Sequence, residues 1–494
     1  MHKQVVKTLA ASVMVFVVAL AWASNDKAQT EHQPVKSTQK ITKKDNKDTK
    51  TTKPMSLVAL GGGDDSVNNS NSLTRAHVGQ TELTSVDPYS GVLSYNIPII
   101  NIPENDGVNL HFSLNSHSVS QGLTCPSYGG GLSCGYMSAG ISRTNFDLVP
   151  VVTFDMKNPV ASYTDFYGYN HTFIKSDQAS SQTLTYFSKD RLKTVFHRLA
   201  DGSIWYYIYT PKGIQYKMIH IDRFPLQAYE MPFYLKQVIS PNGGTVIDYT
   251  YKNSNGFVSL SSITDHRGNT LNFIYNASGT LQSINLNNKE VWGISSSILY
   301  TTVFHNNIYK INSITYPDGS KLQLQYSDKP STGYYYPLKS IVYPDGGKSS
   351  FTYDGYRVTS QINSGPGVTS GTWKYNYIYP GGNTVTTVSG PDKKQIFNFD
   401  GTFPGSSEWS SGLLISKKLY SADGKILYQM TNKTWQSYTI PDSSLQAPEL
   451  TKQVISRGGD CKTQSCMEYI TEFKDFDSYG YPKTEVESSV KHTV

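Results

Sequence analysis

Five glycines, Gly202, Gly244, Gly268, Gly319 and Gly346, stand at one fixed spacing from apolar residues and from a tyrosine. At +3, +5 and +7 they are followed by Trp205/Tyr207/Tyr209, Ile247/Tyr249/Tyr251, Leu271/Phe273/Tyr275, Leu322/Leu324/Tyr326 and Ser349/Phe351/Tyr353. The residue at +7 is tyrosine in all five copies. Ile239, Ile263, Ile314 and Ile341 stand five residues upstream of the last four glycines. A repeat of this length means stacked supersecondary units, none of which can bury its apolar face alone. The period of two makes the unit a strand. In Lys321–Tyr326, Leu322, Leu324 and Tyr326 fall on one face, and Lys321, Gln323 and Gln325 on the other.

The turns agree. Pro317-Asp318-Gly319 and Pro344-Asp345-Gly346 precede two of the strands, and Pro241-Asn242-Gly243-Gly244 precedes a third. Such sequences suit tight hairpins that need a positive φ. Upstream strands carry Leu260/Ile263, Ile311/Ile314 and Leu338/Ile341 at one common spacing. The expected fold is all-β. An N-terminal β-domain over 76–190 precedes repeat hairpins over 191–360 and a degenerate repeat region over 361–494. Within the β-domain, Val92–Ile97 and Val108–Leu114 alternate as strands on either side of Asn105-Asp106-Gly107.

The formal charge of +6 is confined to the start of the chain. Residues 1–53 hold 10 lysines and 4 acidic residues, which leaves 34 of the 44 basic and 34 of the 38 acidic residues elsewhere. A nucleic-acid binder needs a basic face in its folded part, and this balance supplies none. His2, Lys3 and Lys7, the apolar run Leu9–Leu20 and Ala21-Trp22-Ala23 read as a secretory signal cleaved after Ala23, with 1–23 removed. The apolar run is short for a membrane span. Residues 24–75 are polar and read as a disordered linker. The protein is expected in the periplasm or outside the cell.

In that oxidising setting Cys125, Cys134, Cys461 and Cys466 are expected to pair. Three connectivities exist, of which Cys125–Cys134 and Cys461–Cys466 are the local ones and the ones expected. The spacings C-x8-C and C-x4-C lack the paired C-x2-C of zinc ribbons, so no metal and no other cofactor is expected.

These residues resemble the bacterial YD-repeat, or Rhs-repeat, family, whose signature is roughly G-x2-l-x-f-x-Y-D-x2-G-r-l. Gly268–Leu281 follows that pattern, as does Gly346 through Phe351, Tyr353, Asp354 and Gly355 to Arg357. VDPYSGVLSYNIPI, NIPENDGVNLHFSLNSHS and GLSCGYMSAGISRT are similar, in that order, to the N-terminal segment of secreted members. The match covers about 80 to 360. The resemblance implies an antiparallel sheet spiralling into an open or partial shell, which in full-length members encloses a C-terminal toxin. The sequence departs from those members in lacking their D-P-x-G core and cargo domain. The function expected is a secreted, non-enzymatic scaffold. Its partner would be a surface glycan, a toxin cargo or a polypeptide that completes the shell.

Candidate sites are few. Gly131-Leu132-Ser133-Cys134-Gly135 matches the G-x-S-x-G of hydrolases, but its glycine-rich surroundings offer no strand-turn-helix context. A hydrolase of cell-surface polymers is the alternative function. Gly347-Lys348-Ser349 lacks the first glycine of a phosphate loop, and His197, His220, His266 and His305 keep no ligand spacing. Within the repeat, Trp205, Tyr207 and Tyr209 belong to the core register. Tyr206, Tyr334, Tyr335 and Tyr336 lie off it and are the residues expected to make an exposed contact.

Overall fold

The computed structural model describes residues 51–54, 83–102, 108–117, 149–155, 160–165, 170–175, 183–188, 192–198, 204–210, 212–221, 230–254, 257–301, 307–328, 336–401, 409–440, 446–459, 461, 464–477 and 482–493. The described residues are almost entirely β. The first strand is β1 (Thr51–Pro54). β2 (Thr84–Val86), β3 (Leu93–Ile102) and β4 (Leu110–His117) form a separate three-stranded antiparallel sheet. Then come β5 (Val151–Asp155), β6 (Val160–Thr164), β7 (Asn170–Lys175), β8 (Thr183–Ser188), β9 (Lys193–Arg198), β10 (Ile204–Tyr209), β11 (Gln215–His220) and β12 (Glu230–Ile239).

The repeats begin with β13 (Val246–Ser254), β14 (Phe257–Thr264), β15 (Thr270–Tyr275), β16 (Leu281–Leu286) and β17 (Glu290–Thr301). β18 (Asn307–Thr315), β19 (Lys321–Tyr326), β20 (Leu338–Val342), β21 (Lys348–Asp354) and β22 (Arg357–Ser364) complete them. β23 (Gly371–Ile378), β24 (Thr384–Ser389), β25 (Lys393–Phe399), β26 (Leu414–Ser421) and β27 (Leu427–Thr439) follow. β28 (Gln446–Arg457), β29 (Cys466–Phe476) and β30 (Pro482–His492) end the series. Together with β1 these strands make one antiparallel sheet of 27.

Each strand from β5 to β30 pairs with the next, so the pairings run without a break across 190/191 and 360/361. The sheet as a whole is open, but at its start the pairings return on themselves. β12 pairs with β11 on one edge; on the other it pairs with β5 through Glu230–Tyr234 and with β13 through Gln237–Ile239. β5 through β12 therefore form a closed circuit of eight. A circuit of eight strands encloses just enough space for side chains to fill. Tyr186, Phe196, Tyr206, Ile208, Met218 and Phe233 are among the buried residues of its strands. At the far end, β1 pairs with β30 over Thr51↔Glu487 to Pro54↔Thr484, so four residues of the stretch read as linker lie in the sheet.

The hairpin unit explains the repeat. In β19, Leu322, Leu324 and Tyr326 are buried while Lys321, Gln323 and Gln325 are exposed. A register slip of one residue would expose all three, at about 1.5–3 kcal/mol for each apolar side chain. The turn is a three-residue loop closed by Tyr316 N–H to Ser320 O at 2.9 Å and Gly319 N–H to Tyr316 O at 2.9 Å. Of Pro317, Asp318 and Gly319, only Gly319 has a positive φ, +83°. The turn is thus a type I turn followed by a left-handed residue, and Asp318 contributes its side chain instead, accepting from Ser320 N–H at 2.9 Å.

The upstream pairs spaced by three are odd for a strand, since residues three apart face opposite ways. A β-bulge in each strand resolves this. Tyr251 pairs with Leu260 and Thr250 with Ser262, leaving Ser261 as the extra residue. Asn312, Lys339 and Thr359 are extra in the same way. The bulge returns Leu260 and Ile263, Ile311 and Ile314, and Leu338 and Ile341 to one buried face.

In three of the five copies, Tyr251, Tyr275 and Tyr353, the bulge also explains the tyrosine. The ladder of the hairpin stops there, as β14–β15 does after Ser262↔Asn272, and Leu260 O has no partner in that ladder. The Tyr275 hydroxyl donates to it at 2.9 Å. Tyr251 donates to Leu235 O at 2.6 Å, Tyr353 to Leu338 O at 2.8 Å and Tyr377 to Val358 O at 2.9 Å. In the degenerate region Trp435 Nε1 donates to Leu414 O at 2.9 Å, again at a bulge. A buried carbonyl left unpaired is costly, and a phenol or indole reaching over the bulge satisfies it.

Candidate functional site

The best-built constellation is the turn Asp87-Pro88-Tyr89-Ser90-Gly91, which leads from β2 into β3. Asp87 is fully buried and organises it. Asp87 Oδ1 accepts from Tyr89 N–H at 3.0 Å, and Oδ2 accepts from the Ser90 hydroxyl at 2.5 Å. Gly91 N–H closes the turn on Asp87 O at 2.8 Å. The turn sits against the repeat sheet. Val358 N–H donates to Gly91 O at 2.8 Å, Arg357 Nε donates to Ser90 O at 3.3 Å, and the Thr386 hydroxyl donates to Pro88 O.

Tyr89 packs edge-on to Phe399 at 5.5 Å, and its hydroxyl lies 3.1 Å from Ser411 Oγ. Further along, Phe112 of β4 packs edge-on to Phe273 of β15 at 4.9 Å. The small sheet and the inner face of the repeats therefore share one core. Gly91 is required twice over. Its φ is +75°, and a Cβ there would lie 2.8 Å from Arg357 Cγ and 3.0 Å from Tyr377 Cζ.

Arg357 is the hinge of this contact. Its guanidinium carbon lies 5.3, 5.9 and 5.0 Å from the ring centroids of Tyr356, Tyr377 and Tyr379. Burial raises the Tyr377 hydroxyl well above the usual phenol range, and the Arg357 charge partly offsets this. The arrangement is a clasp between two parts of one chain. It holds no nucleophile, base and orienting group in sequence.

The sequence-expected contact residues are not brought together. Tyr206 is fully buried inside the eight-strand circuit, which corrects its reading as an exposed contact. Trp205, Tyr207 and Tyr209, read as core, are partly exposed, while Tyr206 and Ile208 face inward. The cause is local: every residue from Ile204 to Tyr209 is apolar or aromatic, so alternation cannot select a face. The neighbours select it, because Tyr206 stands opposite Phe196 and Met218, both buried. Tyr336 is half-buried. Tyr334 and Tyr335 lie outside the described residues, as do Ser133, Cys125, Cys134 and the signal segment 1–23.

The exposed aromatics among the described residues are others: Tyr379, Tyr428 and Tyr469. Tyr428 lies beside Leu427, which pairs with Tyr420 at a further bulge. The signal that could have found it is the break in strand parity.

Two polar pairs resemble fragments of catalytic sites. His111 Nε2 lies 3.1 Å from Ser113 Oγ, and burial lowers the His111 pKa. Ser113 is itself buried and also accepts from Asn96 Nδ2 at 3.0 Å, and no carboxylate orients His111 among the described residues. His171 Nε2 lies 3.3 Å from Asp165 Oδ2 with its ring stacked on Tyr163.

Cys461 and Cys466 are joined as a disulfide. Their sulfurs and a ring nitrogen of His492 all lie within 4.8 Å of one another, the one group of metal-ligand type among the described residues. No helix among those residues is long and apolar enough to cross a membrane.

No protein-family model matches the sequence, and no curated protein matches it. Among solved structures the chain is similar to a Photorhabdus luminescens Tc holotoxin pore, at 10% identity and a TM-score of 0.34, over 87% of this chain and 30% of that one. It is also similar to TcdB2-TccC3 without its hypervariable C-terminal region, at 10% identity and a TM-score of 0.28, over 85% and 27%. A porin-like protein from Bacteroides uniformis aligns at 9% identity and a TM-score of 0.15, over 69% and 96%. The chain thus spans under a third of the length of the first two.

Proposed function

We propose that the protein is a secreted, non-catalytic YD-repeat scaffold that binds a complementary polypeptide along β30. What supports a scaffold is that the groups best placed for chemistry elsewhere are spent on structure here. The hydroxyls of Tyr251, Tyr275, Tyr353 and Tyr377 hold bulge carbonyls, and Arg357 holds the Asp87–Gly91 turn.

The single observation that carries the partner is the edge of β30. β1 covers it only over Thr484–Glu487, and Ser488–His492 have no partner strand on that side among the described residues. We read Ser488–His492 as an edge that accepts an extended strand through main-chain hydrogen bonds, with alternate side chains reading the sequence.

Light scattering of the purified mature chain over a range of concentrations tests the reading. The expected result is concentration-dependent association through the open edge. A stable monomer at every concentration would sink the edge-binding reading. Hydrolysis of an ester or glycan panel that disappears in Ser133→Ala would overturn the non-catalytic one.

A further inference from the structure

The disulfide has neighbours that a purely structural cross-link does not need. Cys461 lies in the turn between β28 and β29, Cys466 opens β29, and His492 stands directly opposite Cys466 in the β29–β30 register. The two sulfurs and a ring nitrogen of His492 lie within 4.8 Å of one another. His492 Nε2 is 3.0 Å from Glu468 Oε2, and the Ser456 hydroxyl donates to Glu468 Oε1 at 3.3 Å. Cys466 is buried, while Cys461 and His492 are half-buried, so solvent reaches one side of the group.

We propose that this corner is a redox-gated metal site: when the disulfide is reduced, Cys461, Cys466 and His492 bind one zinc-like divalent ion. The donor set is two thiolates and an imidazole, the soft-to-borderline combination that zinc prefers over magnesium or calcium. With Glu468 on Nε2, the ligand in this site is His492 Nδ1, and the carboxylate is then the outer partner that metal-bound imidazoles commonly have, fixing the tautomer and the ring. Two sulfurs on one tetrahedral zinc stand about 3.8 Å apart, taking Zn–S at about 2.3 Å. The loop must therefore open by about 2 Å from a disulfide. The loop sequence Arg457-Gly458-Gly459 is suited to this, since both glycines have positive φ and no side chains to repack.

The chemistry balances with a dithiol as reductant. The dithiol gives two electrons and two protons, the Cys461–Cys466 S–S bond breaks to two thiols, and the reductant becomes its own disulfide. The metal then displaces both thiol protons into solvent as the two thiolates and the neutral imidazole bind. In the oxidised chain the sulfurs hold each other, and the site is closed to metal.

Cobalt(II) followed by zinc(II) is the probe, with Cys125→Ser/Cys134→Ser as the background that removes the other two thiols. The reduced chain should bind one cobalt with thiolate charge-transfer absorption, and zinc should displace it. The oxidised chain should show neither. Cys466→Ser should abolish the signal, and His492→Ala should weaken binding at least about tenfold.

A second measurement needs no cysteine variant. In the reduced wild-type chain, zinc should protect Cys461 and Cys466 from alkylation, as mapped by mass spectrometry. Equal alkylation with and without zinc, or a reduced chain without thiolate–cobalt absorption, overturns the proposal. An affinity unchanged in His492→Ala overturns the three-ligand site.

Discussion

The eight-strand circuit and the hairpin array are built from the same tyrosine-rich strands, yet they use tyrosine in opposite ways. In the circuit Tyr206 is fully buried, and among the described residues its hydroxyl and that of Thr194 have no partner within hydrogen-bonding geometry. Thr194 lies close enough to offset part of the rise that burial causes in the Tyr206 pKa. In the array the hydroxyls of Tyr251, Tyr275 and Tyr353 each hold a bulge carbonyl. The circuit uses tyrosine as volume. At these three positions the array uses it as a donor fixed where the ladder stops. An invariant aromatic in a β-repeat can thus mark a missing backbone bond and not only a core position.

The largest expected effect is alkaline, and the two regions share it. Burial raises the hydroxyl pKa of Tyr206, Tyr249, Tyr251, Tyr275, Tyr375 and Tyr377. A group whose folded pKa is raised keeps its full contribution below the unfolded value, about 10 for tyrosine. Above that pH the unfolded chain releases the proton first, so stability falls as pH rises toward the folded values. Unfolding and tyrosinate absorbance should therefore appear together. Ordinary titration of these tyrosines in a chain that stays folded would refute the burial pattern in both regions.

Single hydroxyl deletions separate the regions. Tyr275→Phe and Tyr353→Phe should each lose about 1–2 kcal/mol, because a buried carbonyl is left without its donor. Tyr206→Phe removes an unpartnered buried hydroxyl and should be neutral or stabilising by up to about 1 kcal/mol. Urea unfolding of the three variants reads the sign. Equal losses at all three positions would erase the distinction. Trp435→Phe extends the test to the degenerate region, where a loss of about 1 kcal/mol is expected if the Leu414 carbonyl depends on the indole.

Much of the array was legible because turn, alternation and spacing agree at each level. Leu322, Leu324 and Tyr326 face inward as their period predicts, and Gly319 takes the positive φ. The bulges were present in the sequence as Leu260/Ile263 and its copies, since a spacing of three on one face of a strand requires an extra residue. The circuit was not legible, because it depends on β5 meeting β12 across about eighty residues, a pairing no local pattern encodes. Tyr206 shows the limit at a single site. In a run of six apolar or aromatic residues, the face is chosen by Phe196 and Met218 across the ladder. His492 was invisible beside Cys461 and Cys466 for the same reason, since register alone puts it there.

The smallest expected effect lies at the outer end of the hairpins, where the array meets water. The Asp318 carboxylate accepts from the Ser320 hydroxyl and backbone N–H, and these bonds hold its pKa below the usual carboxylate range. Asp318 is exposed, so the contribution is discounted for solvent screening to at most about 0.5 kcal/mol. A depressed pKa makes that contribution present above the unfolded value, about 3.9, and lost as pH falls through the folded one. Asp318→Asn keeps an acceptor for Ser320 but removes the charge. The stability difference between wild type and Asp318→Asn should therefore shrink toward a constant as the pH drops below the folded pKa. A difference independent of pH would assign the turn's preference to Gly319 and Pro317 alone, with the aspartate serving only as a neutral acceptor.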